Sequence, residues 1–344
     1  MKSPHDTLMY QEAHSAADVI AQQLAVNAGL LAGLGARLRA RPPRCIVTCA
    51  RGSSDHAAAY AKYVFETRVG IVTASASPSV SSVYEAPLQL EDALFLAVSQ
   101  SGKSPDLLRS AEAARAGGAQ VLALVNVEDS PLARVADTVI PLRAGPERSV
   151  AATKSYLATL AAVLQLTACW SGDPALHAAL ARLPDDLRQG WDADWSALGA
   201  GLREVHNLFV VGRGYGFGAA LEAALKFKET CGLHAEAFSA AEVRHGPMAL
   251  VGAGFPVLVF GQDDGTLENT LQLADEFRAR GARVWVAAPG ASGPDALPLP
   301  AGVPAITTPL LAVQRFYRAA SALSLARGYD PDLPPHLRKV TETL

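Results

Sequence analysis

The chain has 344 residues, half of them apolar and 18% charged, and 30 Lys and Arg against 33 Asp and Glu give a formal net charge of -3. Such a chain is long enough for two domains of ordinary size, each with its own core. The charge balance excludes a general attraction to nucleic acid or to an anionic membrane surface, so a bound phosphate has to be held by a local site.

In chain order, Met1-Lys2-Ser3-Pro4-His5-Asp6 carries no apolar signal core, and a cytoplasmic location is expected. A helical pattern from Glu12 to Arg39 precedes the first strand, and residues 1–35 form an N-terminal helical segment. The strand Ile46-Val47-Thr48-Cys49-Ala50 ends in Arg51-Gly52 and opens into an Ala-rich helix. Cys45 and Cys49 share one face of that strand, too far apart along extended chain to bridge. With Cys169 and Cys231 they lie in apolar or helical runs without metal-ligand spacing, which implies buried thiols in a reducing compartment and no metal site.

The apolar run Ala93 to Ala97 leads into Val98-Ser99-Gln100-Ser101-Gly102-Lys103-Ser104 and then a helical pattern. Orphan N–H groups and the positive end of the helix dipole attract an anion at such a junction, and small hydroxyls can donate to it without blocking its approach. A phosphorylated small molecule is therefore expected here. A plain strand–turn–helix junction with serines as caps is the alternative. Ser155 to Trp170 is uncharged but too short to span a bilayer, and a buried helix is expected. Asp173 to Ser196, containing Pro184-Asp185-Asp186, reads as a polar helical connector.

The chain then repeats itself. Leu208-Phe209-Val210-Val211-Gly212-Arg213-Gly214 echoes the strand ending in Arg51-Gly52, Val257 to Gly261 with Gly265 echoes Leu94 to Val98 with Gly102, and Gly281 to Trp285 echoes Gly118 to Leu122. The offset stays within one residue of 163 across all three segments. Continuous apolar strands alternating with helical patterns indicate a parallel sheet covered on both faces. The expected architecture is α/β, two doubly wound parallel-sheet domains in tandem with three α/β/α layers: a phosphate-binding domain over 36–172, a helical connector over 173–200, a second domain over 201–330 and a C-terminal tail over 331–344. Ligands in such sheets sit outside the carboxyl ends of the strands, where these turns lie. Opposite the serines, the second copy has Gln262-Asp263-Asp264-Gly265, whose carboxylates repel a phosphate, so only the first copy is expected to bind one.

Chemistry is expected from the second copy. Glu222, Lys226 and Glu229 fall on one face of a helix otherwise made of Ala, Leu and Phe. A solvated charged stripe is the alternative. His234-Ala235-Glu236-Ala237-Phe238 and Glu242-Val243-Arg244-His245-Gly246-Pro247 come next in a loop-like setting, and His245 is the best acid–base candidate among the histidines. Gly212 to Gly218 is only superficially like a dinucleotide loop, because Phe217 takes the place of its last glycine.

Seven ordered motifs carry a family likeness: Arg51-Gly52-Ser53-Ser54, Ser99 to Ser104, Ala151-Ala152-Thr153-Lys154, Leu225-Lys226-Phe227-Lys228-Glu229, His234-Ala235-Glu236, Arg244-His245-Gly246-Pro247 and Leu337-Arg338-Lys339-Val340-Thr341. From about Leu8 onward the chain resembles the isomerase half of glucosamine-6-phosphate synthase, a tandem pair of sugar-isomerase (SIS) domains. The resemblance implies that Ser99, Gln100, Ser101 and Ser104 hold a sugar phosphate, that Ser54 touches the sugar near it, and that Val150 and Ala151 line the pocket. It implies that Glu229 moves a proton between C1 and C2 with Lys226 as its charged neighbour, that His245 opens the ring, and that Glu222 binds a sugar hydroxyl. Lys339 matches a tail lysine that forms a Schiff base with the open-chain ketose. No metal or organic cofactor is implied, and the expected assembly is a homodimer in which His245 is lent across the interface.

Two departures shape the expected activity. No cysteine precedes Cys45, so the terminal nucleophile of a glutaminase domain is missing, and release of ammonia is expected instead, as in the SIS-type glucosamine-6-phosphate deaminases. Lys103 stands where the synthase usually has an acid. The leading expectation is conversion of glucosamine 6-phosphate to fructose 6-phosphate and ammonia. Alternatives are a galactosamine 6-phosphate or fructosamine 6-phosphate enzyme on the same scaffold, and a non-catalytic sugar-phosphate sensor.

Overall fold

The computed structural model describes residues 2–339. Val340 to Leu344, including Val340 and Thr341 of the tail motif, lie outside the described residues. By contacts the described residues divide into two units: one of residues 18–147, 154–181 and 338–339, the other of residues 2–17, 148–153 and 182–337.

The first unit holds a sheet of five parallel strands, β1 (Cys45–Cys49), β2 (Thr73–Ser75), β3 (Ala93–Ser99), β4 (Gln120–Val125) and β5 (Thr138–Pro141), in the order β2-β1-β3-β4-β5. Every residue of β3 is buried, as its unbroken apolar run requires of a central strand covered on both faces. Val47 pairs with Phe95, and Leu96 with Leu122, so the apolar rows of adjacent strands are in register. Phe95, Val121 and Ala123 pack with Leu107, Ala111 and Leu132 from the covering helices. The uncharged segment forms a helix over Lys154–Ser171 in which nearly every side chain is buried, in accord with its composition.

The second unit repeats this topology with β6 (Asn207–Gly212), β7 (His234–Ser239), β8 (Pro256–Phe260), β9 (Arg283–Pro289) and β10 (Ala296–Leu299), again all parallel and in the order β10-β9-β8-β6-β7. Renumbered from its own first strand, this order is that of the first sheet, which is the structural counterpart of the repeat in the sequence. Phe209, Val257, Val259, Phe277 and Val284 form its core. His234 to Ser239 is an edge strand pairing with β6 rather than a loop-like segment. Irregular backbone begins only after Ser239, with two short 3-10 turns at Glu242–Arg244 and Pro247–Leu250.

The units are not contiguous along the chain. The expected 1–35 segment divides between Ala17 and Asp18, and the expected connector divides within the helix Pro174–Gln189, after Ala181. No single helix among the described residues is long and apolar enough to cross a membrane.

Candidate active site

In the first sheet the strand order reverses between β1 and β3, and the crevice at the carboxyl ends of such a pair is where ligands bind. Two helix N-termini open there. The first four helices flank β1 in sequence: α1 (Leu8–His14), α2 (Ala16–Val26), α3 (Ala28–Ala40) and α4 (Ser53–Arg68); α5 (Pro78–Ser82) and α6 (Pro105–Ala116) come next. Ser54 lies in the first turn of α4, and Ser99, Gln100, Ser101 and Ser104 span the turn from β3 to α6.

That turn is tightly shaped. Gly102 has φ +63°, and a Cβ there would run into the Ser130 hydroxyl. Its N–H donates to Ser99 Oγ at 3.0 Å, and the Lys103 N–H donates to Ser101 Oγ at 3.4 Å. Ser104 is the N-cap of α6 and its side chain makes no capping bond, whereas Ser99 and Ser101 accept from backbone N–H groups of the turn. Asp106, fully buried in the first turn of α6, accepts from Arg51 Nε at 2.9 Å and Nη2 at 2.8 Å. Both donors meet the one oxygen Oδ2, and this charge-assisted pair ties the β1 turn to the β3 turn. Arg51 is legible in the sequence as part of its motif, whereas Asp106 is missed because its partner lies 55 residues away.

The corresponding turn of the second sheet is filled from within. Asp264 Oδ1 accepts from the N–H of Thr266 at 2.8 Å and from its hydroxyl at 2.6 Å. The buried Gln262 amide donates to Arg213 O at 2.8 Å, to Thr266 Oγ1 at 3.0 Å and to Asp264 Oδ2 at 3.1 Å. An internal carboxylate occupies the electropositive turn that an external anion would need.

Three further helices, α7 (Pro131–Val135), α8 (Lys154–Ser171) and α9 (Pro174–Gln189), lead to α10 (Ser196–Leu202) and to α11 (Gly216–Cys231), which carries the acidic cluster. Glu222 and Lys226 are fully buried and Glu229 keeps 20% of its side chain exposed, so this is no solvated stripe. Lys226 Nζ stands 2.5 Å from Glu229 and 3.3 Å from Glu222. Tyr317, on the last long helix after α12 (Leu267–Ala279), namely α13 (Thr308–Ala326), donates its hydroxyl to Glu222 at 2.9 Å. Burial works against the charged form of Lys226, but the two carboxylates outweigh it and hold the ammonium above its ordinary value. Charge therefore persists in a dry setting, with Glu229 as the end open to solvent.

The other candidates fall elsewhere. Val150 is half-buried and Ala151 buried, in the short stretch 148–153 of the second unit. His245 is exposed, its N–H donating to Glu242 O at 2.9 Å at the end of a 3-10 turn, and neither a hydrogen bond nor an ion pair joins its side chain to the α11 cluster. Lys339 lies in the first unit, where its Nζ is 3.1 Å from the buried carboxylate of Glu147. Glu147 also accepts from the N–H of Ser155 at 3.1 Å and from its hydroxyl at 2.7 Å, and so sits as an anion at the start of α8. The sequence pattern does not reveal Glu147, since its partners lie 8 and 192 residues away.

Two doubly wound parallel sheets of one topology define a tandem α/β protein with a switch point in each sheet. The SIS domain family model matches residues 41–168 and 201–288, more than half of the chain. The chain belongs to the SIS domain family. It is 35% identical over 303 residues to the isomerizing glutamine–fructose-6-phosphate aminotransferase of Methanothermobacter thermautotrophicus, a match covering 86% of this chain and 50% of that one. It spans about half the length of the curated relatives it matches. A solved structure from Silicibacter pomeroyi, described as a candidate phosphosugar isomerase, superposes with a TM-score of 0.89 at 42% identity, covering 95% of this chain and all of that one. The C-terminal domain of glucosamine-fructose-6-phosphate aminotransferase from Francisella tularensis shares the fold, with a TM-score of 0.85 at 23% identity over 96% of this chain and 98% of that domain.

Proposed function

We propose that the chain is a sugar-phosphate isomerase that acts on an amino sugar, converting glucosamine 6-phosphate and water to fructose 6-phosphate and ammonia. The observation that carries this reading is the buried Glu222–Lys226–Glu229 cluster with Glu229 as its accessible end, a pre-formed carboxylate in a chain whose first sheet also carries a serine-rich turn at a helix N-terminus.

In the proposed reaction Ser99, Gln100, Ser101 and Ser104 hold the phosphate, with Ser54 beside the sugar and Val150 and Ala151 against it. Grip on the phosphate supplies binding energy for orienting the open chain. His245, contributed by the partner in a homodimer, moves the proton between O5 and O1 that opens the ring. Glu229 takes the proton from C2 and returns it to C1, so the C1 aldehyde becomes a hydroxymethyl group and the C2 amine becomes an imine. Glu222, expected to bind a sugar hydroxyl, is instead fully buried against Lys226 and the Tyr317 hydroxyl, and it supports the cluster behind Glu229 without reaching the sugar. The Lys339 amine attacks C2 and expels ammonia, and water then breaks the lysine imine to release fructose 6-phosphate. That attack requires Lys339 to give up a proton, and Glu147 stands 3.1 Å from its nitrogen to take it.

The test is a coupled assay for fructose 6-phosphate and ammonia in equal amounts from glucosamine 6-phosphate, without glutamine. Turnover of galactosamine 6-phosphate or a fructosamine 6-phosphate alone rejects the named substrate. Saturable binding of all three without turnover makes the chain a sensor.

A further inference from the structure

Residues 148–150 lie outside any helix or strand, so their backbone donors need partners from elsewhere. Three successive N–H groups find them within one unit. Arg148 N–H donates to Glu12 Oε1 at 2.5 Å and Ser149 N–H to Glu12 Oε2 at 3.3 Å, while Val150 N–H donates to Asp332 O at 3.3 Å. Glu12 belongs to α1, and Asp332 begins the tail that leads to Lys339.

Asp332 is tied to the same helix. Its carboxylate accepts from the N–H groups of Leu8 at 2.9 Å and Met9 at 2.8 Å, the first two of α1, and from Lys2 Nζ at 2.8 Å. The orphan N–H groups and the positive end of the helix favour an anion there. Among the described residues, Asp332 is the last side chain before Lys339 that hydrogen-bonds outside the tail, and residues 335–338 run exposed beyond it. Glu12 and Asp332 are themselves only 8% and 5% exposed. Burying two carboxylates is costly unless their lone pairs are taken up, and here the acceptors are used on main-chain N–H groups, which fixes backbone that no regular ladder fixes.

α1 has a rigid base. Thr7, its N-cap, shares a buried hydrogen bond of 2.8 Å with Ser321 of α13, and Gln314 of α13 donates to Ala13 O at 3.3 Å. The same α13 carries Tyr317, which supports Glu222 behind the α11 cluster. Within this unit, a frame of α11, α13 and α1 therefore carries Glu229, residues 148–150 and the start of the tail.

We propose that Glu12 and Asp332 are positioning residues for the reaction proposed above, an inference that rests on that reading. Glu12 holds the segment that sets Val150 and Ala151 against the sugar. Asp332 fixes the point from which the tail brings Lys339 to C2. Neither side chain touches substrate. A group displaced by about 1 Å can lose two orders of magnitude in rate, so anchoring of this kind acts on the chemistry as well as on stability.

Two signals from fructose 6-phosphate separate these parts: deuterium uptake at C1 in deuterium oxide reports Glu229, and borohydride trapping reports Lys339. Asp332→Asn sets an amide donor against an N–H of α1, and it should slow trapping about tenfold or more while C1 uptake stays within about twofold. Glu12→Gln does the same against residues 148–149, and it should raise the half-saturating fructose 6-phosphate for C1 uptake about fivefold or more, with the saturated rate kept within about twofold. Asp330→Asn loses a charge but keeps an acceptor for the Asp332 N–H at 3.0 Å, and it should change neither signal. Circular dichroism checks the fold of each variant. If Asp332→Asn does not fold, Lys2→Met, which leaves both N–H bonds in place, carries the tail arm with trapping slowed about threefold; if Glu12→Gln does not fold, the shorter acid of Glu12→Asp carries the other arm with the same shift in half-saturation. Unchanged trapping in Asp332→Asn, or unchanged half-saturation in Glu12→Gln, overturns the inference. So does an equal loss of both signals in folded Asp332→Asn, which assigns that residue a general structural role. Each of these results leaves the proposed reaction standing, because the unmodified chain still performs it. No C1 uptake or no trapping with the unmodified chain defeats the proposed reaction and this inference with it.

Discussion

Lys226 and Glu229 face each other at 2.5 Å one turn apart on α11, with the lysine sealed from solvent and the carboxylate left at the boundary. Behind the lysine, Glu222 takes both Lys226 at 3.3 Å and the Tyr317 hydroxyl at 2.9 Å. The cation is what allows two carboxylates to share one apolar helix face. Lys226→Met should therefore cost about 3–5 kcal/mol of stability, because it strands buried negative charge. Urea unfolding checks this, and Lys226→Met combined with Glu222→Gln should recover part of the loss. A single-variant cost below about 1 kcal/mol would mean the charges are hydrated after all.

The cradle depends on Gly102, whose φ of +63° and contact with Ser130 leave no room for a side chain. Gly102→Ala should lose about 2–3 kcal/mol through backbone strain and overpacking. Calorimetric titration with glucitol 6-phosphate should show at least tenfold weaker binding, while the corresponding change at Gly265, in the turn already filled by Asp264, should leave that binding unaltered.

Burial pushes the Cys49 thiol from 9.0 up to about 12 and the Cys231 thiol up to about 11. A raised folded value means that the unfolded chain releases these protons first, so stability is intact below pH 9 and declines as pH rises from 9 toward 12. Denaturant midpoints measured across that window should fall, and Cys49→Ala should flatten the decline. A thiolate reagent at about pH 8 should leave both cysteines unmodified until the chain is unfolded.

If Lys339 forms an imine with the open-chain ketose, borohydride added during incubation with fructose 6-phosphate should attach the reduced sugar to that residue, as read by peptide mass. Lys339→Ala should abolish the adduct. Glu147→Gln should slow its formation at neutral pH, since the neighbouring acceptor for the amine proton, 3.1 Å away, is then neutral.

Much of the molecule is legible from residue order. The duplicated offset, the continuous apolar strands and the shared face of Glu222, Lys226 and Glu229 all come from periodicity, and each corresponds to an element of the structure. What escapes the sequence is long-range. Asp106 reads as an ordinary first-turn acid of α6, Tyr317 as one more aromatic of α13 and Glu147 as a loop acid, and only folding reveals their partners Arg51, Glu222 and Lys339. The division of residues 1–35 between two units is equally invisible, because α2 runs through the boundary with no break in its helical pattern. His234 to Ser239 misleads for another reason: an edge strand tolerates polar residues that a central strand would exclude.

The proposal rests most directly on proton transfer by Glu229. Fructose 6-phosphate incubated with the protein in deuterium oxide, followed by proton NMR, should take up deuterium at C1, and Glu229→Gln, which retains an acceptor for Lys226, should slow that exchange by about 100-fold or more while leaving the binding of glucitol 6-phosphate unchanged. Exchange at the same rate in Glu229→Gln, or no exchange with the unmodified chain, would contradict it.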